Sequence, residues 1–237
     1  MKKRNFLPDP DGLLLIDKPC EWTSHDLVAK VRNHFRLNKT GHGGTLDPNA
    51  TGLVVLLIGR GTQLSAKVMG GDKTYEGEML LGIETDSQDT DGETTAEKDP
   101  SAVTEEQLRT EIKKALGDQM QMPPMVSAIK KNGVPLYKLA RKGQEIEREP
   151  RFIHVYRFAL NNFTSPRATF EVQCTKGTYV RTLVHDLGQR LGCGACLSQL
   201  RRTRSGELCL SEAWSLDEVL RWDRAELEKH LIPIHSL

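Results

Sequence analysis

One aspartate in this 237-residue chain stands where a carboxylate could do chemistry. Asp47 lies within Gly41-His42-Gly43-Gly44-Thr45-Leu46-Asp47-Pro48-Asn49-Ala50-Thr51-Gly52, a glycine-rich loop that holds a histidine and leads into the apolar run Leu53 to Ile58. A side chain on a tight loop at the mouth of a buried strand is a frequent place for catalysis, and a lone carboxylate there can serve as nucleophile or base. Asp-Pro-Asn is also turn chemistry, because Asp and Asn bond their own backbone and Pro presets its φ, so a plain structural turn is the alternative reading.

A second segment, Cys174-Thr175-Lys176-Gly177-Thr178-Tyr179-Val180-Arg181-Thr182-Leu183, reads as a strand turning through Gly177 into a helix. Tyr179 and Arg181 fall in the first helical turn, where unpaired backbone N–H groups also attract anions. A guanidinium in that place can pair with a carboxylate and favour its ionised form. An ordinary surface arginine is the alternative.

The elements that must carry these residues are legible in outline. Leu13 to Ile16 reads as a buried strand ending at Asp17-Lys18-Pro19, and Ser24 as the N-cap of a helix that places Leu27, Val28, Val31 and Phe35 on one face. Leu53 to Ile58 and the alternating stretch Lys73 to Leu81 read as strands, and the acidic stretch Thr85 to Pro100 as a loop. Thr104-Glu-Glu-Gln107 is a capping box opening a helix that buries Leu108, Ile112 and Leu116 and stops at Gly117. A hairpin turn is expected at Asn132-Gly133, then a short basic helix ending near Gly143. Phe152 to Phe163 and Ala168 to Thr175 read as paired strands, Val180 to Leu191 as an amphipathic helix closed by Gly192, and Ser215-Leu-Asp-Glu218 as one more capped start. Irregular mixing of strands and helices predicts an α+β fold, a mixed and largely antiparallel sheet with flanking helices.

Composition sets bounds. With 38% hydrophobic and 27% charged residues the chain has the make-up of a globular protein. No apolar run reaches the roughly 18 residues a membrane span needs, and no leader follows Met1-Lys2-Lys3-Arg4, so a cytoplasmic location is expected. The scattered Cys20, Cys174, Cys193, Cys196 and Cys209 read as reduced thiols. Cys193-Gly-Ala-Cys196 has metal-ligand spacing without a partner motif, so both are expected to pack as small apolar side chains. The net charge of +1 hides a separation of sign. Lys30 to Lys39, Lys130 to Arg151 and Arg201 to Arg204 are basic, whereas Glu84 to Glu111 is acidic. Basic stretches sharing one face would follow a phosphate backbone, with the acidic ones lying elsewhere.

Four segments occurring together and in this order make the chain recognisable: Gly41 to Gly52, Lys73-Thr74-Tyr75, Pro123-Pro124-Met125-Val126-Ser127-Ala128, and Cys174 to Arg181. The chain closely resembles the bacterial TruB-type tRNA pseudouridine synthases, the tRNA pseudouridine-55 synthase family, from about Leu13 to about Ser236. The resemblance implies a single pseudouridine synthase catalytic domain over 1–237, with its cleft across the sheet, and an isomerase that converts a flipped-out T-loop uridine of tRNA, at position 55, to pseudouridine. Such a reaction breaks the N1–C1′ bond, turns the uracil and rejoins it through C5. It needs no cofactor and no metal.

On that resemblance Asp47 matches the catalytic aspartate. Three roles are open to it: addition to the uracil ring, attack at C1′, or removal of the C2′ proton. Asp17 and Asp186, the other carboxylates near motifs, read as capping or structural residues. Tyr75 corresponds to the tyrosine that stacks on the extruded base, which needs a new aromatic face. Tyr179 is placed to contact the base or assist proton transfer, Arg181 to pair with Asp47, and Leu200 to pack near the base. His42 would fill the gap left in the RNA stack, and Lys18 would brace the loop or meet a phosphate. The expected partner is the tRNA T stem-loop, bound by a monomer, with no membrane association. Many bacterial relatives continue into a C-terminal RNA-binding PUA domain, which is expected to be absent here. The rival readings are a related synthase acting on another RNA, with a guide or partner, and a protein that binds or chaperones tRNA without catalysis. A nucleotide-binding glycine loop is disfavoured by the lack of GxxxxGK[ST] and of a strand-anchored GxGxxG.

Overall fold

The computed structural model describes residues 8–125, 127, 130–131, 134–135 and 147–236. The Asn132-Gly133 turn and the basic helix near Gly143 lie outside them. In chain order the elements are β1 (Gly12–Lys18), α1 (Ser24–His34), β2 (Thr40–His42), β3 (Thr51–Ile58), α2 (Ser65–Gly70), β4 (Lys73–Leu81), β5 (Ile83–Thr85), β6 (Thr94–Glu97), α3 (Glu105–Lys114) and β7 (Gly117–Gln121). They continue with β8 (Lys130–Lys131), β9 (Val134–Pro135), β10 (Arg151–Thr164), β11 (Arg167–Cys174), α4 (Val180–Leu191), β12 (Ala195–Ser205), β13 (Leu208–Cys209), β14 (Trp214–Ser215), α5 (Leu216–Val219) and α6 (Arg224–His230). The chain divides into two units, 1–75 with 200–237 and 76–199, and the division falls inside β4 and β12.

The first unit is built on a mixed sheet in the order β14-β1-β3-β12, with β2 added to β3 and β13 to β12. β1 pairs antiparallel with β3 over its whole length, while β14 joins β1 and β12 joins β3 in parallel. The continuous apolar run of β3 has a simple cause, burial on both faces. Val54, Leu56 and Ile58 enter one core with Leu14, Ile16 and the apolar stripe of α1, whereas Leu53, Val55 and Leu57 enter another with Leu13, Leu15, Val68 and Leu208. The same period of two sends Lys18 to the side of Leu14 and Ile16, and Asp17 to the opposite side. Helix α1 starts one residue earlier than predicted. Thr23, not Ser24, is its N-cap, in a capping box with Asp26, which leaves the Ser24 hydroxyl for another task.

In the second unit the order is β4-β11-β10-β7, with β10 antiparallel to both β11 and β7. Helix α3 packs on β10 and α4. The capping box Thr104–Gln107 opens α3 as predicted, and Leu108 and Ile112 are buried, but Leu116 is exposed because the helix ends at Lys114 and the chain turns into β7. Helix α4 buries Val180, Leu183, Val184 and Leu187, each worth about 1.5–3 kcal/mol on burial, and Gly192 closes it at φ 82°, the left-handed conformation glycine adopts without strain. The stretch predicted as a loop contains β6, which pairs antiparallel with β5 just before it, and neither short strand has the apolar alternation that would have revealed it. Cys193 and Cys196 are buried and free, as their apolar reading required.

Candidate active site

Asp47 opens a β-turn. The Ala50 N–H donates to the Asp47 carbonyl at 3.1 Å, with Pro48 in the position whose φ it presets, so the plain turn reading is correct as local structure. Its neighbour Leu46 is anchored in the first core, while Asp47, Pro48 and Asn49 are exposed. The loop thus pins Leu46 in the core and carries Asp47 as the next, exposed residue.

Three side chains brace this loop from beneath. The Ser24 hydroxyl accepts the Leu46 N–H at 2.9 Å, which is the task it takes up in place of capping α1. Lys18 is fully buried and donates to the carbonyls of Pro19 at 2.9 Å, Trp22 at 2.6 Å and Pro48 at 2.8 Å, committing all three of its N–H bonds. Burial pushes its ammonium down from 10.5 to about 8, opposed by Cys20 and Asp47 and assisted by the Arg202 guanidinium. Arg202 is buried too, and donates from Nε to Leu53 O at 2.8 Å, from Nη1 to Thr45 O at 3.3 Å and from Nη2 to Gly44 O at 3.1 Å. The approach of β12 to β3 that places it there needs Gly52, at φ +97°, where a Cβ would lie 2.4 Å from the Arg202 carbonyl oxygen.

His42 ends β2, and its Nδ1 accepts the Gly44 N–H at 3.3 Å, which puts the proton of the neutral ring on Nε2. Burial, and then the Arg202 charge, hold its pKa below the ordinary histidine value, so the ring is neutral at neutral pH. Tyr75 and Leu200, both half-buried, pack against the same core that anchors Leu46. Asp47, His42, Lys18, Tyr75 and Leu200 all belong to the first unit, and Tyr179 and Arg181 to the second.

In the second unit Tyr179 is the N-cap of α4, and Arg181 lies two residues on. The Gln121 side chain fixes both backbone groups of Tyr179, accepting its N–H at 2.8 Å and donating to its C=O at 3.0 Å. Arg181 is buried, stands 5.9 Å from the Tyr179 ring centroid and pairs through Nη1 with Asp89 Oδ2 at 3.0 Å. The acidic stretch thus supplies, at Asp89, a partner for Arg181. Its loop folds back because Leu197 N–H donates to Gln88 O and Thr90 N–H to Leu197 O.

The Arg201 to Arg204 cluster is likewise not simply a phosphate footprint. Strand alternation turns Arg202 inward under the loop, Arg201 pairs with Asp17 at 2.6 Å, and Arg204 is exposed. Asp17 is structural in the sense expected, while Asp186 is half-buried and its pKa is raised by burial. Ser24, Asp89, Gln121 and Arg202 were missed as site residues, since each acts through contacts far away in sequence. Among the described residues no group of His, Cys, Asp and Glu is arranged to hold a metal ion, and no helix is long and apolar enough to cross a membrane.

Comparison with known proteins names the class. Residues 32–180 match the model of the TruB family pseudouridylate synthase N-terminal domain, and residues 181–237 that of the tRNA pseudouridylate synthase B C-terminal domain. The mixed sheet described above is, in this chain, the framework of a pseudouridylate synthase. A tRNA pseudouridine synthase B from Opitutus terrae is 53% identical over 95% of this chain and 94% of its own length, and one from Geobacter sulfurreducens is 46% identical over 88% and 69%. The chain belongs to the TruB family. Among solved structures, a chain of a Cbf5–Nop10–Gar1 complex matches at 27% identity and a TM-score of 0.76, covering 96% of this chain and 61% of that one. A chain of the archaeal box H/ACA sRNP Nop10–Cbf5 complex matches at 25% identity and a TM-score of 0.71, covering 99% and 63%. The chain thus spans about three fifths of those solved chains.

Proposed function

We propose that this protein acts on tRNA, isomerising the T-loop uridine at position 55 to pseudouridine with Asp47 as the catalytic carboxylate, as a cytoplasmic monomer. The observation that carries the reading is the exposed Asp47 on a turn whose backbone is held by the buried cations Lys18 and Arg202. Holding the backbone that carries a reacting group is one way positioning lowers a barrier. Tyr75 and Leu200 offer an aromatic face and an apolar contact to an extruded uracil, and the neutral His42 ring is suited to fill the gap in the stack. Lys18 acts as a brace rather than as a phosphate ligand, because its donors are already used.

An unmodified tRNA transcript incubated with the protein, then mapped by chemical labelling and reverse-transcription stops, tests the reading. A single stop in the T loop is the expected result. Stops at another position, or only in another RNA, would reassign the substrate.

Two further outcomes follow from the geometry. Turnover should decline as pH rises through about 8, because deprotonation of Lys18 removes one of three donors and the charge that attracts Asp47. Lys18→Met should show a low rate without that decline, and a wild-type rate that holds through pH 9 would remove the ammonium from the argument. Arg181→Lys should lose most of the rate with little loss of RNA affinity, since a point charge cannot reproduce the planar guanidinium fork, whose Nη1 donates to Asp89 Oδ2. Wild-type turnover in that variant would show that the fork is not needed.

A further inference from the structure

Beside the Asp47 turn, within the first unit, lies a pocket of about 440 Å³ lined by Asp17, Lys18, Pro19, Trp22, Thr51 and Arg201 together with Ser215 to Asp217. We infer that it is a second base-binding subsite, taking a nucleotide of the same RNA close to the target uridine and recognising a guanine or cytosine. The inference rests on the proposed function and extends it to a residue-level account of which loop is accepted.

The location is set by Lys18. It lines the pocket, and its ammonium grips the carbonyl of Pro48, the residue after Asp47, so a base held here belongs to a nucleotide near the one at the carboxylate. The walls are apolar, from Trp22, Pro19 and Leu216, while the polar groups converge at Asp17, Arg201, Ser215 and Asp217. Apolar walls with a few convergent polar groups are the ordinary make-up of a small-ligand pocket, and the volume suits a single nucleoside.

The charges choose the ligand. Arg201 donates to Asp17 at 2.6 Å and to the Thr51 hydroxyl at 3.4 Å, yet its side chain is 40% exposed and that of Asp17 33%, so both retain edges open to solvent. Two carboxylates, against a guanidinium that is paired and a Lys18 ammonium whose donors are committed to carbonyls, disfavour a phosphate. A neighbouring donor and acceptor instead match a mixed edge: guanine offers O6 to Arg201 and N1–H with N2–H to Asp17, and cytosine offers N3 or O2 and N4–H. Uracil, with acceptors on both sides of one donor, fits less well. Trp22 supplies a surface for stacking, which every base accepts.

The test is equilibrium binding of the full chain to a T-arm RNA hairpin and to a set in which each loop nucleotide in turn lacks its base. One position other than the target uridine should cost the wild type about tenfold in affinity. That cost should nearly vanish in Arg201→Ala and shrink in Asp217→Asn, an exposed change at the pocket mouth that keeps the inference testable if the first variant does not fold. Equal losses in all three proteins at every position would overturn the inference while leaving the tRNA reading intact. Failure of the wild type to bind the intact hairpin would instead overturn the tRNA reading, and the subsite with it.

Discussion

Asp47→Ala is expected to abolish pseudouridine formation, by more than about a thousandfold, while tRNA affinity stays within a few-fold of wild type. The side chain is exposed, and the backbone around it is held by contacts of its neighbours, through Leu46 N–H, the Pro48 carbonyl and the Gly44 and Thr45 carbonyls, which do not involve the carboxylate. Within the first unit Asp17, the other carboxylate near the motif, is tied to Arg201. The measurement is modification of a transcript by labelling and stop mapping, with filter binding in parallel. Asp47→Asn, which keeps the shape and loses the charge, should be as inactive. A variant retaining a tenth of wild-type turnover would move the chemistry to another group. Loss of binding together with turnover would mean that the loop itself had been disturbed. The same pair of measurements separates an enzyme from a tRNA-binding protein, since a protein that only binds would keep its function without Asp47.

The second large effect is expected at Arg202, which the sequence presents as one of a row of basic residues. Arg202→Met should lower kcat about a hundredfold with a smaller change in KM, and should destabilise the protein by on the order of 3 kcal/mol. Removing the guanidinium strands the buried carbonyl of Leu53, at a cost of about 1–3 kcal/mol, and releases those of Gly44 and Thr45, which sit nearer the surface, so that the loop is free to move toward water. That movement displaces the segment leading to Asp47. Arg202→Lys should rescue little, because a single ammonium on a flexible stem cannot span three carbonyls. The check is a kcat and KM split measured well below the melting temperature, alongside thermal unfolding. A destabilised variant with wild-type kcat would show that Arg202 supports the fold and not the reaction. The effect should be larger than at Ser24, where Ser24→Ala removes the acceptor for Leu46 N–H and a long 3.4 Å donation to Leu46 O.

His42 illustrates how these buried cations reach further than their hydrogen bonds. Its ring is kept neutral by burial first and by the Arg202 charge second, so Arg202→Met should also let the His42 pKa rise toward its ordinary value. A planar neutral ring is better suited to lie among bases than an imidazolium that must keep its water. In this way one arginine holds the backbone of the loop and influences the charge of the histidine at its start.

Local order was legible wherever a few neighbouring residues decide it. The two-sided burial of Leu53 to Ile58, the stripe of Val180, Leu183, Val184 and Leu187, the Gly192 stop, the Thr104–Gln107 capping box and the Asp47-Pro48 turn are written within spans of a dozen residues or fewer, because hydrogen bonding and side-chain period act at that range. Even there, choices between adjacent candidates were not determined. Thr23 and Ser24 are both good caps, and which one caps α1 depends on the demand of Leu46 N–H for a hydroxyl 22 residues away. The resemblance carried by the Gly41 to Gly52 and Cys174 to Arg181 segments placed the chain in its family, which the comparisons then showed. It did so by residue identity, without stating how those residues are held.

What only the tertiary structure decided is the fate of the charges. A lysine or arginine has the same local signature whether it meets solvent, a phosphate or a buried carbonyl, and the difference in free energy lies entirely in what folds over it. Lys18 and Arg202 are buried because a glycine loop closes above them, Arg202 meeting it from 157 residues away, while Arg204 two residues further along the same strand remains exposed. Asp89, read as part of a solvated acidic stretch, is drawn to Arg181 across 92 residues. The sequence by itself determined the periodic elements, the turn that carries Asp47 and the family, since these depend on near neighbours and residue identity. The braces beneath the turn depend on long-range packing, and for them the same residue types are compatible with opposite environments.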